Sequence, residues 1–164
     1  MPSAFFLDSS ALGKHYVPEQ GTAEMAHLFA KVPANRLTVI TIGLLEVVSI
    51  LVRRRNAGTI SAGDFAAALS RLHIEMIYSA AVTRVQATDA LALRAVPLIE
   101  PYSINGTDAM VLRSALDIAA GMRAAGLDLV LVTSDRRLLR AAKAEGLTTF
   151  DPETQSTTDL DALI

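Results

Sequence analysis

The chain has 164 residues, of which 51% are hydrophobic and 20% charged, a composition that fits one folded domain and excludes a disordered chain. The net charge of -2 excludes a protein-wide positive field, so contact with RNA or DNA would need a local basic patch. The absence of cysteine excludes disulfides, cysteine zinc sites and thiol nucleophiles, and it is consistent with a reducing cytoplasm.

Two apolar segments bear on cellular location. The N-terminal MPSAFFLDSS lacks the basic region and the apolar length of a signal peptide. Residues 39–52 are interrupted by Glu46 and end at Arg53, which leaves them short of the roughly 20 residues that a membrane span needs. We interpret this segment as a buried helix, and we expect a cytoplasmic protein without a membrane segment.

The first half of the chain predicts short strands separated by helices, because apolar or β-branched segments alternate with segments of helical spacing. The predicted strands are residues 4–7, 37–40 and, as a weaker candidate, 75–78. The predicted helices begin at the Asp8-Ser9-Ser10 segment, cover residues 21–31, continue from the second strand to about Asn56, and cover residues 61–74 with Ser61 as N-cap.

The second half continues the alternation. The predicted helices are residues 83–95, ended before Pro97, a long helix from a Thr107 cap to about Ala125, and residues 135–145. Residues 101–106 are predicted as a loop, and residues 129–132 and 147–150 as strands. The acidic end TTDLDALI is predicted either to form a short docked helix or to fray.

This alternation predicts an α/β domain with three layers, in which helices flank a central, mostly parallel sheet. We expect residues 1–150 to form the domain and residues 151–164 to form an acidic tail or short helix. In such folds the functional crevice lies beyond the carboxyl ends of the strands.

Four carboxylates are predicted to meet at that edge of the sheet. Asp8 follows the first strand directly, and Asp135 comes three residues after the strand at 129–132. Asp108 lies at a helix start, and Glu46 lies near the start of the helix that follows the second strand. Because clustered carboxylates repel one another, this arrangement favours a hard divalent cation such as Mg²⁺ or Mn²⁺.

Each of the four also has a simpler interpretation. The three aspartates could be helix caps or favourable first-turn charges. Glu46 is harder to explain in this way, because it lies within IGLLEVVSILV, where a solvated face is nearly missing. A glutamate in such surroundings usually has a hydrogen-bonding partner or a cation.

At these residues the sequence resembles the PIN-domain proteins, and within them the VapC-type ribonuclease toxins. The matching stretches are FFLDSSALGKHY, LLEVVSIL, TDAMVLRSAL and VTSDRRLLRAAKAEGL. The resemblance implies a central parallel sheet, an acidic pocket that binds Mg²⁺ or Mn²⁺, cleavage of single-stranded RNA, frequent homodimers and inhibition by a cognate antitoxin. The residues that match the family's acidic positions are Asp8, Glu46, Asp108 and Asp135, with Ser10 and Thr133 as supporting hydroxyl residues.

Basic residues near Asp135 are candidates for contact with RNA. Arg136, Arg137 and Arg140 follow it within one or two helical turns and could hold phosphates, although they could equally be ordinary surface residues. Lys14 is a weaker candidate of the same kind.

Other functions fit the sequence less well. A serine hydrolase would need a nucleophile-elbow glycine pattern, and a haloacid-dehalogenase-type phosphatase would need an aspartate where Ser10 stands. A receiver domain would need a lysine where Ser134 and Asp135 follow a late strand. The alternative that stays open comes from a different class of protein: a catalytically silent PIN-like module that binds RNA or a protein partner.

Overall fold

A computed structural model describes residues 3–164. Within that range, five strands form one sheet in the order β3-β2-β1-β4-β5, and every neighbouring pair is parallel. The strands are β1 (Ala4–Leu7), β2 (Leu37–Ile40), β3 (Thr83–Val85), β4 (Leu129–Val132) and β5 (Thr148–Phe150). The helices are α1 (Ser9–Tyr16), α2 (Thr22–Lys31), α3 (Thr41–Asn56), α4 (Ala62–Leu72), α5 (Asp89–Tyr102), α6 (Gly106–Ala124), α7 (Arg136–Ala144) and α8 (Thr157–Asp161).

The sheet separates two hydrophobic cores, because side chains alternate between its faces along each strand. Phe5 and Leu7 of β1 pack in a core with residues of α1 to α4 and α8, whereas Phe6 packs on the other face with residues of α5, α6 and α7. The predicted three-layer α/β fold with a parallel sheet is therefore confirmed.

The central strand fixes where chemistry can occur. β1 pairs with β2 on one side and with β4 on the other. The chain therefore builds the sheet from β1 towards one edge with β2 and β3, and then towards the opposite edge with β4 and β5. Such a reversal opens a crevice at the carboxyl ends of the strands. The residue that follows β1 is Asp8, which therefore lies at the middle of that edge.

The acidic tail is docked rather than frayed. Leu160 of α8 is fully buried and packs into the core that contains Phe5. His27 of α2 bonds to Asp161, and Arg36 donates a hydrogen bond to the carbonyl of Ile164. The division of the chain at residue 150 stays a prediction, although the tail packs directly on the domain.

Two sequence predictions between residues 75 and 95 are wrong. Residues 75–78 belong mainly to a π-helical turn at His73–Ile77, which extends α4. Residues 83–95 are not one helix, because Thr83–Val85 forms the edge strand beside β2. The strand is short, and two of its three residues are exposed, so it lacks the apolar signature of a buried strand.

The helix that was expected to end before Pro97 continues through it. α5 begins after the Thr88 cap and ends at Tyr102, with Pro97 and Pro101 inside it. Pro97 has no N–H to offer to the carbonyl of Leu93 four residues earlier, but both residues are exposed, so water can satisfy that carbonyl. The buried face of α5 packs mainly along α6, and this packing overrides the local cost.

The start of α6 also differs from the prediction. Asn105, not Thr107, is the N-cap, and its side-chain oxygen accepts a hydrogen bond from the amide of Asp108 at 2.8 Å. The expected loop is correspondingly short, since α5 ends at Tyr102 and Ser103 adopts the left-handed conformation, with φ of 51°. In the part of the chain from residue 3 onward, no helix is long and apolar enough to cross a membrane.

Docking of the tail can be tested with Leu160→Ala. We expect the free energy of unfolding to fall by about 2–4 kcal/mol, the usual cost of removing a buried leucine side chain. Urea denaturation followed by circular dichroism measures it. Thr158→Ala, an exposed change in the same helix, is the control, and equal stability of the two variants would show that α8 does not pack as described.

Candidate active site

Asp8 is buried at the end of the central strand, with 3% of its surface exposed. Its amide donates to the carbonyl of Val132 at 3.0 Å, which joins the end of β1 to the end of β4. Its carboxylate also caps α1 by accepting from the amide of Ser10 at 3.3 Å. The cap interpretation is therefore correct, and it does not compete with a role at the crevice.

Two hydroxyls hold the Asp8 carboxylate in place. Oδ2 accepts from Ser10 Oγ at 2.6 Å and from Thr133 Oγ1 at 2.8 Å. Burial raises the pKa of Asp8 above its ordinary value, and these hydrogen bonds oppose that rise because they favour the ionised form. The positions predicted as supporting residues thus contact the central acid directly.

Asp135 is positioned by the loop between β4 and α7. Its amide donates to Thr133 Oγ1 at 3.1 Å, so Thr133 contacts both acids. Asp135 is also the N-cap of α7, and its Oδ1 accepts from the amides of Arg137 and Leu138 at 2.8 and 2.9 Å. The helix dipole favours a negative charge at this position.

Glu46 lies on the second turn of α3 and is half-buried, and it accepts a hydrogen bond from Ser9 Oγ at 2.7 Å. The expectation that its helix lacks a solvated face is wrong, because Leu45 is 68% exposed and Ser49 is also exposed. An apolar composition does not reveal which side of a helix faces the core. Glu46 lies at the boundary between the buried and open faces of α3, with Ser9 as its partner.

The pKa of Asp108, the third residue of α6, depends on the other three acids. Burial raises its pKa, and the negative charges of Asp8, Asp135 and Glu46 raise it further, to about 7, while Arg137 acts in the opposite direction. Such electrostatic effects require the groups to be near one another. The structure therefore brings the four predicted carboxylates to one crevice.

The donor set suits a hard divalent cation. Among residues 3–164, no three acids or histidines are arranged to ligate one ion together. Mg²⁺, however, usually takes one or two protein carboxylates and completes its shell with water and substrate phosphate. Burial, and then repulsion by the other acids, raise the pKa of Asp108 to about 7, and a cation bound among these carboxylates would offset that repulsion.

Three of the four basic candidates lie on the surface next to the crevice. Arg136, Arg137 and Arg140 are exposed on α7, and none forms an ion pair with a carboxylate in residues 3–164. Arg137 is close enough to lower the pKa of Asp108. Arg137 thus lies near the acids, and Arg136 and Arg140 are exposed on the same helix.

Lys14 lies elsewhere. Only 4% of its surface is exposed, and its ammonium group pairs with Glu153 at 2.6 Å and with Glu19 at 3.5 Å. A buried lysine between two carboxylates is not available to phosphate, so we leave Lys14 out of the RNA-binding set proposed below.

Sequence analysis missed three polar residues that support the acids. Ser9 bonds to Glu46, and Ser134 uses its backbone amide to donate to Ser10 Oγ at 3.0 Å. The Ser134 hydroxyl donates to Asp151 at 2.9 Å. Asp151 follows β5 directly, so the rule that led to Asp8 would have led to it as well.

The family model for the PIN domain matches residues 5–144, which is most of the chain. The chain belongs to the PIN-domain family. PIN domains are generally nucleases, and the matched residues include all four acids of the crevice. No curated protein matches the sequence significantly.

Solved structures of other proteins share this fold. PAE2754 from Pyrobaculum aerophilum is 22% identical with a TM-score of 0.63, over 99% of this chain and 98% of that one. The sarcin–ricin-loop-cleaving toxin VapC20 of Mycobacterium tuberculosis is 18% identical with a TM-score of 0.59, over 84% and 95%. FitAcB from Neisseria gonorrhoeae is 12% identical with a TM-score of 0.61, over 92% and 99%. At these identities the likeness establishes the fold.

The pKa of Asp108 predicts how stability depends on pH. Because that pKa rises from 3.8 to about 7 on folding, the native state keeps a proton that the unfolded chain has released. The contribution of Asp108 to stability therefore falls as the pH rises between these two values, and the loss is complete above them. Asp108→Asn removes this ionisation, so we expect the variant to gain stability relative to wild type as the pH rises.

Urea denaturation in the presence of a chelator, at about pH 4.5 and about pH 8.5, tests this expectation. The difference in unfolding free energy between variant and wild type should favour the variant more at the higher pH. Asp89→Asn, an exposed acid on α5, is the matched control. The same pH dependence in wild type and Asp108→Asn would contradict the electrostatic coupling of the four acids.

Proposed function

We propose that this PIN domain is a divalent-metal-dependent endoribonuclease, using Mg²⁺ or Mn²⁺, and that it is the toxin of a toxin–antitoxin pair. The observation that carries the proposal is the convergence of the acids at the carboxyl edge of the sheet. Thr133 Oγ1 contacts both Asp8 and Asp135, and Ser9, next to Asp8, holds Glu46. The charges of these three acids in turn raise the pKa of Asp108. Four clustered carboxylates without a cationic side chain for each repel one another, which would destabilise the fold unless a cation binds there.

Three acids would hold one or two cations, directly or through water: Asp8 from the central strand, Asp108 from α6 and Asp135 from the start of α7. When bound, a divalent cation supplies Lewis-acid chemistry, which activates water and offsets charge at the phosphodiester. Glu46, held by Ser9, would complete the shell or accept a proton from the attacking water.

The hydroxyls of Ser10 and Thr133 orient the central carboxylate and favour its ionised form. Both donate to one oxygen of Asp8, and Thr133 also accepts from the amide of Asp135. The buried Thr133 hydroxyl is thus one contact that links the two acids. Preorganised groups of this kind lower the barrier because they need no rearrangement during the reaction.

RNA is the proposed substrate, in single-stranded or structured form. Arg136, Arg137 and Arg140 supply the local positive charge that the negative net charge of the chain makes necessary. The similarity of fold to VapC20, a toxin that cleaves the sarcin–ricin loop, supports RNA as the substrate.

The proposal includes a cognate antitoxin as partner and a homodimer. It also includes a cytoplasmic location, where the protein would encounter both RNA and an antitoxin. The likeness to a toxin supports the antitoxin. Exposed apolar side chains on α5, at Leu93, Val96 and Ile99, support a dimer because contiguous exposed apolar residues are typical of contact surfaces.

The second candidate function is a silent PIN module that binds RNA or a protein partner without cleavage. Binding of Mn²⁺ by wild type, measured by calorimetry, separates the two together with a cleavage assay. Metal binding with cleavage supports the enzyme, metal binding without cleavage on a panel of structured RNAs supports the silent module, and failure to bind Mn²⁺ contradicts the enzyme.

Removing the central acid should abolish catalysis. We expect Asp8→Asn to fold normally and to cleave RNA about 100-fold more slowly or worse, because even the outer partners of metal ligands contribute about 10- to 100-fold. A chelator should inhibit wild type to the same level, and Mn²⁺ should raise the melting temperature of wild type but not of the variant. Asp89→Asn should retain full activity, and a purified Asp8→Asn protein that cleaves at the wild-type rate would refute the assignment.

The arginines of α7 should control RNA binding. In Arg137→Ala/Arg140→Ala we expect the KM for RNA to rise about tenfold and its dependence on salt to weaken by about 0.7 logarithmic units per lost phosphate contact. Initial rates at several salt concentrations measure both. Lys143→Ala, an exposed basic residue farther along the same helix, is the control, and unchanged KM with unchanged salt dependence in the double variant would exclude this surface.

A further inference from the structure

Asp151 is a buried carboxylate outside the acidic crevice that the proposed mechanism does not use. Only 8% of its surface is exposed, and no basic side chain in the described range pairs with it. Its oxygens accept instead from the Ser134 hydroxyl, from the amide of Glu153 and from the Thr154 hydroxyl, at 2.9, 3.0 and 2.9 Å. Three neutral donors thus satisfy the buried carboxylate in place of a cationic side chain.

One of these contacts leads to the crevice. The Ser134 hydroxyl points to Asp151, while the Ser134 amide donates to Ser10 Oγ at 3.0 Å, and Ser10 Oγ in turn donates to Asp8 at 2.6 Å. Thr133 and Asp135 flank Ser134 on either side. The segment 133–135 is thus held from two directions, by Asp8 on the side of the central strand and by Asp151 on the side of the tail.

The other end of the turn is anchored to α1. Glu153 accepts from Lys14 at 2.6 Å, and its amide donates to Asp151. Lys14 lies one helical turn after Ser10, so a closed ring of contacts runs from α1 through the tail to the loop before α7 and back to α1. This ring explains why a buried lysine is present where a basic residue for RNA was expected.

The turn approaches α1 and α2 closely enough to require a glycine. Gly21 has φ of +92°, and a Cβ there would lie 2.9 Å from the carbonyl oxygen of Pro152. The residue after Asp151 therefore packs closely against the backbone at Gly21, which limits how near the turn can come to α2. This contact is independent of the hydrogen bonds and places the turn directly against the start of α2.

We propose that Asp151 is a positioning residue of the crevice: through the Ser134 hydroxyl, it holds segment 133–135 against the central strand, so that Asp8 and Asp135 keep the separation needed to share a cation. The shared cation is part of the proposed function. The contacts from Asp151 through Ser134 to segment 133–135, which we call the clamp, are present in the metal-free protein. Asp151 acts through Ser134 and does not touch the substrate or the ion.

The test compares two hydroxyl deletions that remove different bonds to the same carboxylate. Ser134→Ala removes the bond towards the crevice and leaves the tail turn intact, whereas Thr154→Val removes a bond within the turn and leaves Ser134 in place. Three quantities are measured for each: amide hydrogen exchange at Ser134 and Asp135 in metal-free protein, the Kd for Mn²⁺ by calorimetry, and kcat and KM on RNA.

In Ser134→Ala we expect amide exchange at residues 134 and 135 to accelerate about tenfold, the Kd for Mn²⁺ to rise about tenfold, and kcat to fall by a similar factor with KM unchanged. Thr154→Val should match wild type in all three. Asp151→Ala should behave as Ser134→Ala, and Asp151→Asn, whose amide oxygen still accepts from Ser134, should recover most of the loss.

Wild-type exchange rates and Mn²⁺ affinity in Ser134→Ala would overturn the proposal, and so would equal effects of Ser134→Ala and Thr154→Val. If Asp151→Ala does not fold, amide exchange and Mn²⁺ affinity in Ser134→Ala and Asp151→Asn still support or overturn the proposal. If wild type neither binds Mn²⁺ nor cleaves RNA, the proposed function fails, and exchange in metal-free Ser134→Ala against Thr154→Val still supports or overturns the clamp.

Discussion

The burial of a carboxylate at the end of the central strand constrains everything around it. Asp8 is buried at the end of β1. The loss of hydration raises its pKa, and hydrogen bonds from nearby groups oppose that rise. No cationic side chain is hydrogen-bonded to it in the part of the chain that the structure describes. Hydroxyls supply the compensation instead, and they come from α1 and from the segment after β4. These hydrogen bonds favour the ionised form of Asp8 and oppose the rise in its pKa that burial causes.

The same geometry explains why simple and functional interpretations of the acids were hard to separate. In a parallel α/β sheet, the residue after a strand is also the residue before a helix, so an acid there both caps the helix and faces the crevice. Asp8 and Asp135 do both. Asp108 differs, because Asn105 is the N-cap of α6. The Asp108 carboxylate does not cap the helix, and the charges of the other acids raise its pKa. Local sequence cannot show that interaction, since it joins residues from opposite ends of the chain.

What could be predicted from the sequence follows the strength of local signals. The strands near the centre of the sheet were found because segments such as LVLV at 129–132 are buried on both faces. β3 was missed because an edge strand keeps polar, exposed residues, and α5 was cut short because its packing on α6 outweighs the cost of Pro97. The four acids were found by the rule that chemistry follows strands together with the resemblance. Asp151 obeys the same rule and was overlooked because its role depends on Ser134, a contact across 17 residues.

The order of the strands also has a consequence for synthesis of the chain. β1 is made first, yet one of its two neighbours in the sheet is β4, which begins 122 residues after β1 ends. A ribosome must therefore deliver most of the domain before Asp8 meets Thr133, and the tail that holds Ser134 follows later still. Until then, the acids are scattered along an incomplete sheet with unpaired edges. Asp135 lies beyond β4, so the four acids of the crevice can come together only after the chain has been made past that residue.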